Sequence, residues 1–133
     1  MNSGSTYAYE ATGPGALGAD MTVVYGTLSL FNVTLDLSGA TLNSGWGIGD
    51  KITLLSYTNS AITSGFSGYT DDTQYAFGAT NWLFNYNDTT SGANFKPEAT
   101  GTFFVTMKVV PEPSAVVLAG MGVLLALRRR RLA

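Results

Sequence analysis

The sequence predicts an all-β fold: short strands forming either the last rungs of a β-solenoid or a small β-sandwich, followed by one C-terminal transmembrane α-helix. Three observations carry this expectation. Charged residues make up only 12% of the chain and glycine 16 of its 133 residues, with Ser, Thr, Asn and aromatics filling much of the rest. Such a composition suits short strands joined by turns and leaves few helix formers. Apolar and polar residues alternate in short runs bounded by Gly, Asn and Asp, which is the period of a half-buried strand. No helical period appears before residue 114, where an uncharged apolar run begins.

Residues 1–20, MNSGSTYAYEATGPGALGAD, show neither the basic residues nor the apolar run of a secretory signal. They are expected to be irregular, the truncated edge of a longer protein. From Met21 the β-branched and aromatic residues become dense, and the β domain is expected over 21–110. Phe31, Val33, Leu35 and Leu37 share one strand phase, whereas Leu28 and Leu30 occupy the other. A bulge or turn should therefore fall near residues 29–31. NSGWGIGD (43–50) reads as a Gly-rich turn and KITLLSY (51–57) as the next strand.

Residues 58–72 are punctuated by Gly65, Gly68 and Asp71-Asp72 and read as loop with a short strand. TQYAF (73–77) and NWLFNYND (81–88) are strands, the second aiming Trp82, Phe84 and Tyr86 at the core. A loop over 94–99 leads into GTFFVTMKVV, where Phe103, Val105, Met107 and Val109 oppose Thr102, Thr106 and Lys108.

At 133 residues there is room for one domain. The chain has no cysteine and no histidine. Disulfides, thiolate nucleophiles, His-ligated zinc and a Ser-His-Asp triad are excluded. Residues 1–110 hold three lysines and eight acids, net −5, while residues 111–133 hold four arginines and Glu112, net +3. An acidic body repels phosphates, so nucleic acid is not an expected partner.

The positive charge is confined to the end of the tail VVPEPSAVVLAGMGVLLALRRRRLA (109–133). Ala115 to Leu127 is thirteen residues without a charge. As a helix this run covers roughly 20 Å of a hydrocarbon layer about 30 Å thick. Arg128, Arg129, Arg130 and Arg131 are expected to snorkel outward and to remain on the cytoplasmic side, with the β domain outside. On that reading residues 114–127 form a transmembrane helix and 128–131 its basic anchor. Pro111 and Pro113 cannot donate backbone hydrogen bonds, so they end the last strand and hold Glu112 in an extended, accessible tripeptide.

This order of parts resembles the PEP-CTERM sorting signal of Gram-negative bacteria, on Val110-Pro111-Glu112-Pro113-Ser114, the apolar run and the arginine block. The resemblance implies recognition of Pro111, Glu112 and Pro113 by an exosortase, a membrane-embedded processing enzyme. It also implies removal of the tail and delivery to the cell surface or extracellular matrix, often alongside exopolysaccharide. GDKITLLSY, GFSG and WLFNYND are further similar to the C-terminal ends of surface proteins built from autotransporter-associated β-strand repeats. That likeness implies a parallel β-helix that ends in less regular strands.

Other chemistry is weighed against plainer readings. Asp71, Asp72 and Asp88, with Asn85 and Asn87, offer oxygen ligands for calcium, but these residues also favour turns in their own right. Paired carboxylates for glycoside hydrolysis would have to come from the same acids, in a small body with no evident cleft. Trp46, in the Gly-rich turn, is the better candidate for an exposed sugar-stacking ring, and Trp82 the better one for the core. Asn32-Val33-Thr34 and Asn87-Asp88-Thr89 match the glycosylation acceptor pattern, which an Asn/Thr-rich chain produces by chance. The expected protein is non-enzymatic and needs no cofactor. It passes the inner membrane on its way to the surface, with a carbohydrate-binding module on the same tail as the alternative.

Overall fold

The computed structural model describes residues 4–13, 18–96 and 101–132. Parts of the expected irregular segment 1–20 (1–3 and 14–17) and of the expected loop 94–99 (97–99) lie outside them. Seven strands precede one helix: β1 (Thr6–Ala8), β2 (Thr22–Val24), β3 (Thr34–Asp36), β4 (Lys51–Tyr57), β5 (Gln74–Phe77), β6 (Thr80–Asp88), β7 (Phe103–Val110) and α1 (Pro113–Leu132).

Strands β1 and β3 form a two-stranded parallel sheet with Thr6 opposite Thr34. The others form a five-stranded sheet in the order β2-β4-β7-β6-β5. There β2 runs parallel to β4, Thr22 facing Leu55, and every other pairing is antiparallel. An isolated parallel bridge joins Ala11 to Ala40. Over its first half the chain thus returns beside itself, in parallel, after about thirty residues. The two sheets are open, and the described strands close neither a coil nor a barrel.

Both sheets feed one core. Tyr9 and Leu35 from the smaller sheet's side join Ile52, Leu54, Leu55, Trp82, Phe84, Val105 and Met107. The segment read from sequence as irregular therefore supplies a strand, and its Tyr9 is fully buried. Strand β4 is buried on both faces, as befits an interior strand of the sheet. A register shift between Thr53 and Leu55 marks Leu54 as an extra residue. This bulge lets Leu54 and Leu55 enter the same core despite their adjacency.

The expected phase change near residues 29–31 is present as a turn, closed by the Val33 amide donating to the Leu30 carbonyl at 3.1 Å. Asn32 takes φ 55°, a region that Asn tolerates better than most residues. The turn keeps Leu28, Leu30, Val33 and Leu35 inside but throws Phe31 out, 65% exposed, contrary to its alternation with Val33. Trp82, Phe84 and Tyr86 face the core as their spacing predicts. On β7, Phe104 and Thr106 are buried as well, because the far face of the sheet is also covered. There Phe95 meets Phe104 edge-on at 5.0 Å.

The expected transmembrane helix over 114–127 is not borne out. Among the described residues no helix is long and apolar enough to cross a membrane. The cause is the arginine block: any eighteen-residue window of the twenty-residue α1 contains at least three of Arg128–Arg131. The uncharged part alone is about 10 Å short of a bilayer's hydrocarbon thickness.

Candidate functional site

Two places concentrate buried polar chemistry, and both are structural ties. Asp88 accepts from Lys51 Nζ at 3.0 Å, from Thr106 Oγ1 at 2.9 Å, and from Thr90 through its amide and hydroxyl, each at 2.9 Å. Burial alone would raise its pKa, but these donors together outweigh it and hold the carboxyl below its ordinary 3.8. A depressed folded pKa stabilises the fold above the unfolded value, and that contribution is lost as pH falls through the folded one. Between pH 4 and pH 2 the urea midpoint of the wild type should therefore fall more steeply than that of Asp88→Asn.

Asn94, fully buried, is the second tie. Its Oδ1 accepts from the Thr53 amide at 2.7 Å, and its Nδ2 donates to Thr53 O at 2.8 Å, Asp20 O at 2.9 Å and Tyr9 Oη at 3.3 Å. One side chain thus joins the N-terminal segment to β4 and to the connection before β7.

The acids and amides considered for calcium are spread among such ties. Asp71 Oδ1 accepts from the amides of Tyr86 and Asp72, at 2.9 and 3.1 Å. Asn87 spans Ile62, accepting from its amide at 2.7 Å and donating to its carbonyl at 3.0 Å. Asn85 Oδ1 accepts from the Asn87 amide. Among the described residues no three acidic side chains converge. A hollow of about 300 Å³ is bounded by Ser64, Tyr69, Asp71 and Tyr86, with Asp71 the one carboxylate among the described residues of its lining.

Trp46 is not the exposed ring that its Gly-rich setting suggests. It is half-buried, stands edge-on to Trp82 at 5.0 Å, and donates from Nε1 to Thr41 O at 2.6 Å. Tyr25 and Phe31 are exposed instead, 76% and 65%. Sequence reasoning missed both. The signal was the pair of overlapping strand phases around residue 30, which cannot both face inward.

The remaining site is the junction of the β domain and the tail. Strand β7 lies between β4, which pairs it as far as Lys108, and β6, which pairs it to its last residue with Asn81 opposite Val110. Beyond the end of β4 the Gly-rich turn continues the ladder. The Gly49 amide donates to Val109 O at 2.9 Å, and the Val109 amide donates to Asp50 O at 2.8 Å. Pro111 then removes the next donor and ends the strand. Pro111, Glu112 and Pro113 are all exposed.

Pro113 opens α1, where a missing N–H costs nothing and a fixed φ suits the first turn. Glu112 places negative charge at the helix N-terminus, and Arg129, Arg130 and Arg131 occupy the last turn. Both ends therefore suit the helix dipole. Between them Val117, Leu118, Met121, Val123, Leu124, Leu125 and Leu127 are 54–69% exposed. They lie around the whole helix and favour no face, the pattern of a helix meant to be covered on all sides. The tripeptide and the arginines lie at opposite ends, roughly 22 Å apart along the axis.

Fold and junction together define an all-β domain that ends, without slack, in an exposed Pro-Glu-Pro, an apolar helix and a basic terminus. The chain carries the PEP-CTERM protein-sorting motif, whose family model matches residues 109–131. That match spans the end of β7, the tripeptide, the apolar run and all four arginines, and it implies an exosortase as the processing partner. No curated protein and no solved structure matches the chain.

Proposed function

We propose that this is a non-enzymatic surface or extracellular-matrix protein whose tail is gripped at Pro111, Glu112 and Pro113 and removed by an exosortase. The observation that carries this reading is the junction: an accessible tripeptide fixed between a folded domain and an apolar helix that no strand covers. In this reading the apolar run and Arg128 to Arg131 are the part of the tail that processing removes. The parallel return of β1 on β3 and of β2 on β4 supports a solenoid-like first half. A structural role is also supported by the buried polar groups, which tie loops to strands.

The test is the C-terminal mass of the protein recovered from its own host. The reading expects a product that has lost Arg128–Arg131 and is found with the surface fraction. A product that keeps all four arginines and stays with the membranes would overturn it.

A second reading, a carbohydrate-binding module on the same tail, is favoured by one observation. Tyr25, Thr27, Ser29 and Phe31 are all exposed, with Leu28 and Leu30 buried between them. Two exposed rings six residues apart offer stacking faces for sugar. Calorimetric titration with neutral polysaccharide separates the readings: the module gives saturable heat that Tyr25→Ala with Phe31→Ala abolishes.

A further inference from the structure

We infer that the enzyme that grips the tripeptide also contacts the β domain, at Ile48 on the tip of the Gly-rich turn. This rests on the reading of the tail as a processing signal. The motif is not on a free linker. Val109 is hydrogen-bonded to Gly49 and Asp50, and Val110 sits opposite Asn81, so no unpaired residue separates the sheet from Pro111. Pro111 and Glu112 form one side of a cleft of about 160 Å³, and Trp46 and Ile48 line it with them.

The turn holds its shape by itself. The Gly47 amide donates to Asp50 Oδ2 at 2.7 Å, and the Asp50 amide donates to Gly47 O at 3.0 Å. Gly45 and Gly49 take φ of 82° and 96°, which a side chain would strain. Trp46 is pinned by its bond to Thr41 and its contact with Trp82. On this rigid base Ile48 is 73% exposed, an apolar side chain left in water beside the motif.

A binding groove that encloses an extended peptide must extend past it on both sides. Here one side is already occupied by Ile48 and the β5–β6 turn, so anything closing over Pro111 and Glu112 meets them. Lipid or a second copy of the chain would also take an exposed isoleucine. The shared cleft is what selects the enzyme. Recognition is then two-part: the tripeptide supplies the signal, and the domain's end supplies a second foothold.

The experiment follows tail loss by pulse-chase and C-terminal mass, using the full chain in a host that holds the processing enzyme. Ile48→Ser should slow processing roughly tenfold, the scale expected for losing one buried isoleucine contact, with the thermal melt unchanged. Inserting Gly-Ser-Gly-Ser between Val110 and Pro111 keeps every motif residue but parts the tripeptide from the cleft, and should slow processing similarly. Wild-type rates for both, with Glu112→Ala and Pro111→Ala still blocking processing, would overturn the foothold and leave the sorting reading intact. Slowing by Ile48→Ser but not by the insertion would also overturn it and point to lipid or self-association. Processing indifferent to Glu112 and Pro111 would bring down the sorting reading itself.

Discussion

Truncating the chain after Val110 is expected to abolish surface delivery while leaving the β domain as stable as before. The two halves of this result have separate causes. Among the described residues no strand packs against α1, and its described apolar side chains are all exposed. Its loss therefore removes no core contact, and the melting temperature should stay within about 2–4 °C, the span of an ordinary surface change. Delivery, by contrast, depends on the three parts matched by the sorting motif, and truncation removes the tripeptide, the apolar run and the arginines together. Fractionation of cells carrying the truncated chain, scored against the full chain, checks the first half, and a thermal melt checks the second. A truncated product that still reaches the surface would show that the address lies elsewhere.

Asn94→Leu is expected to destabilise the domain by about 4 kcal/mol, the largest loss foreseen for a polar residue here. Leucine has the same branching and heavy-atom count and is the bulkier of the two, so the substitution leaves no cavity. It orphans the Thr53 amide, in a fully buried stretch of β4, and deprives Asp20 O of its donor, while the Thr53 carbonyl keeps the Tyr9 hydroxyl at 3.1 Å. Each stranded group costs about 1–3 kcal/mol, so the Thr53 amide and Asp20 O together account for the total. The exposed Asn59 makes a single side-chain bond, to Thr27 at 3.1 Å. Asn59→Leu should fall within about 0.5 kcal/mol of wild type. Urea unfolding of both variants measures the contrast. Similar midpoints would mean that Asn94 is not a keystone.

Much of this was legible in the sequence. KITLLSY became β4 residue for residue, and β6 and β7 begin and end within a residue or two of their alternating runs. Strong period-two patterning with a buried face leaves little choice of register. The tail's tripartite order was equally plain, because each part has its own physical requirement. What escaped were features set by distant contacts. Strand β1 lies in a Gly- and Ser-rich opening whose local pattern is weak, and it becomes a strand through parallel pairing with residues 34–36. Phe31 carries the right phase for burial, but the turn at Asn32 resets the phase after it. Trp46 appeared free because nothing local shows that Trp82 and the Thr41 carbonyl will meet it. Asn94, in an unremarkable loop, gave no signal at all.

The placement of β7 has a mechanical consequence. The chain leaves the domain from a strand bracketed by β4 on one side and β6 on the other, and does not peel from an edge. A pull on the tail along the strand axis would load both hydrogen-bond ladders at once, in shear, with no end from which to unzip. A domain tethered by its last residues during transit would thus withstand tugging from behind and present whatever cuts it with an unyielding, fully formed end.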